Sequence, residues 1–350
     1  MIRHPTKRVR RWFFTTAVVL YVLAPLSAAA LDLAAYPEVT AFIDEMVARH
    51  GLTRSRLERA FTQAYLQPRV IQAMERPKES LAWVDYKKLF VTEDHARRGY
   101  QYWRTQRAAL ARAERTYGVP PEIILAILGV ETGYGQNAGD FVALAALTTL
   151  ALYHPPRARF FREELEQLLL LARDLRLDPM QLIGSYAGAL GIPQFMPSSY
   201  RRFAVDFDGD RKPDLLGNHV DAIGSIANFL RAHGWERDGP IMDDARITGA
   251  VPPALANLGI EPALSVAEFI AYGISPRSYG ASDSGKPTPH GTPDSSRVAA
   301  LIRLEDETGP LTRLGYTNFY TITRYNRSVL YAMAVYELSR MIRINFEANP

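Results

Sequence analysis

The stretch Pro120–Gln136 reads PPEIILAILGVETGYGQ and describes an apolar helix that ends in an acid. Two prolines open the segment, an apolar run follows, and glycines stop the helix just after Glu131. A carboxyl group at this position is partly dehydrated and close to unpaired helix carbonyls, and both effects raise its pKa. Glu131 is therefore a candidate proton donor near neutral pH. For this segment alone, the alternative is a solvated helix end.

Composition places the chain among ordinary globular proteins. It has 350 residues, of which 47% are hydrophobic and 22% charged, so it has room for one large domain or two smaller ones. It contains no cysteine. Disulfides, thiolate nucleophiles and cysteine metal sites are therefore excluded.

Residues 1–30 have the layout of a secretory signal peptide. Met1–Trp12 carries five basic residues and no acid, Phe13–Leu26 is apolar, and small residues follow up to Ala30. Cleavage after Ala30 is expected; an uncleaved membrane anchor is the alternative, for which the apolar run is short. The arginine pair before Trp12 leaves both Sec and Tat export open. Without a cysteine for lipid attachment, the mature protein is expected to be soluble and outside the cytoplasm.

The same segment accounts for the positive charge of the chain. The whole sequence has 41 basic and 37 acidic residues, a net charge of +4, and removal of residues 1–30 changes this to −1. A mature protein that is nearly neutral gives no electrostatic argument for a nucleic-acid ligand.

Helical patterns dominate the chain on both sides of a region of different character, and the predicted fold class is mainly α (α+β). Residues 31–239 and 316–350 are expected to be helical, and residues 240–315 to form a small β-rich insertion with a mobile loop at 280–296. Arg297–Leu304 is a candidate strand. Periodicity predicts helices at Ala41–His50, Arg54–Tyr65, Asp94–Tyr117, Pro121–Glu131, Phe141–Leu152, Phe160–Leu175, Asp221–His233 and Arg324–Glu347.

Two further segments have the composition of a binding groove. Gly184–Tyr200, GSYAGALGIPQFMPSSY, is crowded with small residues, which let the backbone approach a ligand or another chain segment closely. Ser185 and Gln194 are its uncharged hydrogen-bonding groups, and the alternative is a tightly packed helix–turn junction. Gly315–Leu338 is dense in aromatic residues, whose faces stack on sugar rings; a buried aromatic cluster is the alternative there.

An acidic loop, DFDGDRKPD, follows at Asp206–Asp214. Its carboxylates at 206, 208, 210 and 214 occupy positions 1, 3, 5 and 9 of an EF-hand-type calcium loop. Position 6 is Arg211 instead of glycine, and position 12 is Gly217, which has no carboxylate. Asp221 could close a longer loop. The loop is therefore predicted either as a calcium site or as a solvated acidic turn.

Together, the motifs GVETGYG, GSYAGALGIPQFMPSSY, VDAIGSIANFL and NFYTITRYN resemble the membrane-bound lytic murein transglycosylase B family of bacterial cell-wall enzymes. The resemblance covers about Tyr86 to Glu337. It implies a lysozyme-like helical core, a further helical region and a small β domain. It also implies cleavage of the β-1,4 bond between N-acetylmuramic acid and N-acetylglucosamine in peptidoglycan, with a 1,6-anhydro sugar as the product.

The resemblance also assigns residues to roles. Glu131 matches the family's catalytic acid/base, Ser185 matches a serine that hydrogen-bonds this acid, and Phe229 stands where the family can have a tyrosine. The remaining matches form two sets. The residues that match the sugar-binding cleft are Tyr86, Gln194, Tyr325, Asn326 and Tyr331. The residues that match a structural calcium loop at 206–221 are Asp206, Asp208, Asp210, Lys212 (through its carbonyl) and Asp221.

The reaction that the resemblance implies needs one carboxyl group and no catalytic cofactor. A two-carboxylate glycosidase needs a second acid at a defined distance, and the other cleft motifs contain no Asp or Glu to fill that role, which leaves only a residue distant in sequence as a candidate. A lysozyme-type muramidase and a non-catalytic peptidoglycan-binding module are the alternatives. The expected partners are peptidoglycan glycan strands and proteins of cell-wall synthesis or turnover, and the expected location is the periplasm.

Overall fold

The computed structural model describes residues 31–75, 78–256, 258–277 and 294–349. The predicted signal peptide, 1–30, and most of the predicted loop, 280–296, lie outside these ranges.

Helices make up most of the described chain. In chain order they are α1 (Pro37–His50), α2 (Arg54–Gln63), α3 (Pro68–Glu75), α4 (Trp83–Phe90), α5 (Glu93–Thr105), α6 (Arg107–Tyr117), α7 (Pro121–Thr132), α8 (Ala143–Tyr153), α9 (Ala158–Leu175), α10 (Pro197–Phe203), α11 (His219–Ala232), α12 (Pro253–Ala256), α13 (Val266–Ala271), α14 (Thr317–Thr323) and α15 (Val329–Ala348). The predicted mainly α fold class is confirmed. None of these helices is both long enough and apolar enough to cross a membrane.

Helix α7 lies at the centre of the helical core. Pro121 occupies its first turn, where the missing N–H has no partner to lose. Every residue from Ile123 to Val130 is buried, because α5, α6, α11 and α15 pack around the helix. Gly133 is left-handed, with φ 56°, and its N–H donates to the Gly129 carbonyl. The helix therefore ends one residue after Glu131, at the edge of the core.

The helix predicted over Asp94–Tyr117 is wrong as a single element, because it breaks at Gln106, which ends α5 and begins α6. The two halves pack on different partners. Trp103 stacks on Phe346 of α15 at 4.1 Å, whereas α6 packs against α11. The start predicted at Arg324 is also wrong. Helix α15 begins at Val329, where the Ser328 hydroxyl accepts a hydrogen bond from the Tyr331 N–H.

The strands form two antiparallel sheets. They are β1 (Phe141–Val142), β2 (Ile183–Gly184), β3 (Met242–Ile247), β4 (Leu264–Ser265), β5 (Ile274–Pro276), β6 (Val298–Asp306) and β7 (Gly309–Gly315). Strands β1 and β2 pair with each other, and the others form a sheet in the order β4-β6-β7-β3-β5. A separate apolar cluster that includes Val266, Phe269 and Leu314 packs against this sheet. Because β7 ends at Gly315 and α14 begins at Thr317, the sheet positions the start of α14.

Candidate active site

A groove of about 1350 Å³ opens beside the C-terminal end of α7. Glu131 lines it, and other parts of its wall come from α4, α9, the loop between β2 and α10, α10, α11 and the segment between α14 and α15. All seven residues that the sequence assigned to catalysis or sugar binding line this one groove: Tyr86, Glu131, Ser185, Gln194, Tyr325, Asn326 and Tyr331.

Glu131 is partly buried, and its surroundings favour the protonated acid. Burial raises the pKa of Glu131 to about 7, although the hydrogen bond from Tyr331 acts in the opposite direction. The Tyr331 hydroxyl donates to Glu131 Oε1 at 2.7 Å. The negative charge of Glu79 raises the pKa of Glu131 further, and the positive charge of Lys78 lowers it. At neutral pH the carboxyl group is therefore present in both protonation states, as an acid that later becomes a base requires.

Ser185 does not make the hydrogen bond to Glu131 that the resemblance predicted. Its Oγ accepts a hydrogen bond from the Ala189 N–H at 3.1 Å, and its carbonyl accepts one from the Gly188 N–H at 2.9 Å. These bonds close a tight turn in the groove wall. Ser185 is therefore held by its own loop, while Tyr331 provides the side-chain hydrogen bond that the structure records for Glu131.

Gln194 adopts an unusual backbone conformation at the opposite end of the same loop. Its φ of 51° is in the left-handed region, which is uncommon outside glycine. Its Nε2 donates to the carbonyls of Ala138 and Gly191, at 3.0 and 2.9 Å. The side chain thus bridges two loops, which fixes its position in the wall of the groove.

The aromatic side of the groove comes from the segment that joins α14 to α15. The rings of Tyr325 and Tyr331 stack with centroids 6.3 Å apart and planes 9° apart. The Tyr325 hydroxyl donates to the Pro193 carbonyl at 2.6 Å, so this ring is anchored to the Gln194 loop. Phe229 lies 5.0 Å from the Tyr325 ring. Tyr86 is buried and reaches the groove from α4.

Three acids that the motifs did not reveal also line the groove, and one of them, Asp140, is exposed and lies 3.6 Å from Arg69. Glu164 of α9 is buried, and its two oxygens accept hydrogen bonds from the Ser198 N–H and hydroxyl, at 2.9 and 2.6 Å. Glu79 accepts a hydrogen bond from Asn326 Nδ2 at 2.9 Å. Acids remote from the cleft motifs do therefore fold into the groove, and each of these three has a partner within the protein.

The acidic loop lies outside the groove. Carboxylate oxygens of Asp206, Asp208 and Asp210 lie within 4.8 Å of one another at the surface, which fits the hard-oxygen donor set that calcium prefers. The Lys212 N–H donates to Asp210 Oδ1, which places Lys212 in the same turn.

Asp221 differs from the other predicted calcium ligands. It is fully buried, and its oxygens accept hydrogen bonds from the Phe207 and Asp214 N–H groups at 2.6 and 2.8 Å. The described cluster of candidate ligands contains Asp206, Asp208 and Asp210 without Asp221, which is a correction to the predicted ligand set.

Comparison with known proteins decides the family. The model of the transglycosylase SLT domain family matches residues 34–340. This chain belongs to that family. Membrane-bound lytic murein transglycosylase B of Escherichia coli K12 is 41% identical to this SLT-family chain over 323 residues, which are 89% of this chain and 84% of that protein. The predicted resemblance is thus confirmed, and the chain is a lytic transglycosylase.

Solved structures support the same assignment. Soluble lytic transglycosylase SltB1 of Pseudomonas aeruginosa has a TM-score of 0.80 and 39% identity to this SLT-family chain, and the match covers 89% of this chain and all of that one. Escherichia coli lytic transglycosylase Slt35, solved in complex with calcium, has a TM-score of 0.78 and 40% identity, with coverage of 91% and 96%.

Proposed function

We propose that this enzyme cleaves the β-1,4 bond between N-acetylmuramic acid and N-acetylglucosamine in peptidoglycan and leaves a 1,6-anhydromuramic acid end, with Glu131 as acid and then as base. The observation that carries the proposal is the position of Glu131. Its carboxyl group faces a groove large enough for several sugars, and burial raises its pKa to about 7. Such a group can both give and take a proton near neutral pH.

In the first step, protonated Glu131 donates its proton to the glycosidic oxygen, and the bond from that oxygen to the anomeric carbon breaks. The N-acetyl group of the muramic acid stabilises the anomeric carbon in place of a protein nucleophile. In the second step, ionised Glu131 takes the proton of the sugar's 6-hydroxyl, and this oxygen bonds to the anomeric carbon. The carboxyl group ends in its starting state, and no water is consumed.

The other acids of the groove support this scheme over hydrolysis. A hydrolase of the usual kind needs a second carboxylate as a nucleophile or to activate water. The two oxygens of Glu164 are bound to Ser198, and Glu79 is bound to Asn326. Burial raises the pKa of Glu164, but both of its oxygens are engaged by Ser198, so it has no free oxygen to attack the anomeric carbon. Asp140, which also lines the groove, is exposed and lies 3.6 Å from Arg69.

Two further properties are part of the proposal. We propose that residues 1–30 direct export to the periplasm, where the murein substrate lies. We also propose that Asp206, Asp208 and Asp210, with the Lys212 carbonyl, hold a structural calcium ion. The alternating acids and the calcium complex of the related Slt35 support this assignment.

Product analysis tests the proposed reaction. Purified murein sacculi are digested, and the soluble muropeptides are examined by mass spectrometry. We expect anhydromuropeptides, which are lighter by one water than the reducing muropeptides of a hydrolase. Reducing products alone would identify a lysozyme-type muramidase, and binding to sacculi without release of products would identify a non-catalytic module.

A further inference from the structure

One end of the groove carries positive charge that the proposed chemistry does not use. Arg202 of α10, Arg324 after α14 and His233 after α11 all line this end. Aromatic rings hold the two arginines in place: Arg202 Cζ lies 5.1 Å from the centre of the Phe203 ring, and Arg324 lies 5.9 Å from that of Tyr320.

Within the residues that the structure describes, no carboxylate forms an ion pair with Arg202 or Arg324. Arg201, the neighbour of Arg202, shows the contrast, since its Nε donates to Asp174 at 3.0 Å and it also binds Gln167. Adjacent arginines on one helix therefore have different roles, one in a surface ion pair and one at the groove.

The environment of His233 indicates that Arg202 and Arg324 lie at the same end of the groove. Burial lowers the pKa of His233, and the charges of Arg324 and Arg202 lower it further. Its Nδ1 lies 2.7 Å from the Phe229 carbonyl, and the centre of its ring lies 4.0 Å from that of the Phe229 ring. The imidazole is therefore a neutral, fixed part of the wall, and the two arginines supply the charge at this end of the groove.

The chemistry of the strand indicates what this charge binds. The N-acetylated sugars of peptidoglycan are uncharged where the lactyl group is amide-linked to a peptide, so the strand's carboxylates lie in its peptide stems. Guanidinium groups bind carboxylates through paired hydrogen bonds. We propose, on the basis of the proposed function, that Arg202 and Arg324 bind a carboxylate of a peptide stem and so make the enzyme selective for stems that carry this charge.

Matched substrates test the proposal. Soluble glycan fragments are prepared with the same stem peptide, either with free carboxylates or with the carboxylates converted to amides. For each pair, the ratio of kcat/KM on the charged over the amidated substrate is measured at low salt. We expect the wild-type ratio to exceed one, and Arg202→Gln and Arg324→Gln each to lower it about tenfold, the effect of one lost charge-assisted hydrogen bond. Higher ionic strength should shrink the wild-type ratio.

The control variant is Arg201→Gln, which removes a charge from the same helix outside the groove, and it should keep the wild-type ratio. Melting temperatures verify that all three variants fold. An unchanged ratio in Arg202→Gln and Arg324→Gln, or a wild-type ratio of one, would overturn the inference. Anhydro products from the amidated substrate test the proposed function separately, because that reaction does not depend on the stem's charge.

Discussion

The groove and the acidic loop place carboxylates in opposite environments. Glu131 is enclosed by the core, and burial raises its pKa to about 7. The cluster of Asp206, Asp208 and Asp210 is exposed, and hydrogen bonds, of which that from Asn218 is the largest contribution, lower the pKa of Asp208. The same functional group is therefore a proton donor at Glu131 and, at Asp208, an anion that hydrogen bonds stabilise. Burial and hydrogen-bond donors, more than residue type, decide between proton transfer and cation binding.

The largest expected effect is on the rate of cleavage, when Glu131, the proposed proton donor in the groove, is replaced. Glu131→Gln keeps the size of the side chain and an oxygen that can accept the Tyr331 hydrogen bond, but it cannot transfer a proton. Because the acid acts in both proposed steps, kcat on sacculi should fall by a factor of at least about 10³. Release of anhydromuropeptides measures the loss, and circular dichroism verifies the fold. Activity near the wild-type level would exclude Glu131 as the proton donor.

The same substitution should stabilise the protein at neutral pH. The pKa of Glu131 is raised from its ordinary 4.5 to about 7 on folding, so the native state holds the proton more tightly than the unfolded chain. This favours folding below pH 4.5 and is lost as the pH rises through 7. Since groove water screens part of the effect, Glu131→Gln should gain about 2–3 kcal/mol above pH 7 and nothing below pH 4.5. Melting curves of the wild type and the variant across this pH range measure the difference in stability. A difference that does not vary with pH would contradict the argument that burial raises the pKa of Glu131.

The exposed region should respond to a cation. Calcium bound to the native state alone stabilises it by about 2.7 kcal/mol at a hundredfold excess over Kd, which corresponds to a rise of a few degrees in melting temperature. Wild-type protein should show this rise over an EDTA-treated sample, and a variant with Asn at positions 206, 208 and 210 should not. Magnesium serves as the control ion, because it demands a stricter geometry. Identical wild-type melting curves in EDTA and in calcium would show that the loop is an ordinary acidic turn that does not bind calcium.

Features of the fold that depend on residues close together in the sequence could be predicted, whereas features that depend on tertiary contacts could not. Both ends of α7 are marked by nearby residues. Pro121 lies at the beginning of the apolar run and Gly133 follows it, and the helix begins and ends where these residues predict. The break at Gln106 has no glycine or proline to mark it. It arises because Trp103 packs on α15 while the next turn packs on α11, and such contacts are not visible in one sequence.

The candidate site divides in the same way. Residues in long ordered motifs, such as Tyr331 and Gln194, could be placed in one groove from the family resemblance. Glu164 lies in an amphipathic helix whose acids look like surface residues, and its burial depends on Ser198, which is remote in sequence. The Ser185 contact was transferred from the resemblance and is not formed in the structure, where the Ser185 Oγ instead accepts a hydrogen bond from the Ala189 N–H.

The smallest expected effect separates two tyrosines of the groove. Their rings are stacked, but Tyr331 donates its hydroxyl to Glu131 whereas Tyr325 donates to the Pro193 carbonyl. The bond from Tyr331 favours the ionised carboxylate, so Tyr331→Phe should raise the pKa of Glu131 and extend the protonated, active form to higher pH. The alkaline limb of the rate profile should move upward by about one pH unit. Tyr325→Phe is the matched control and should leave the limb in place, and equal shifts in both variants would mean that general loosening of the groove, rather than the hydrogen bond, controls the acid.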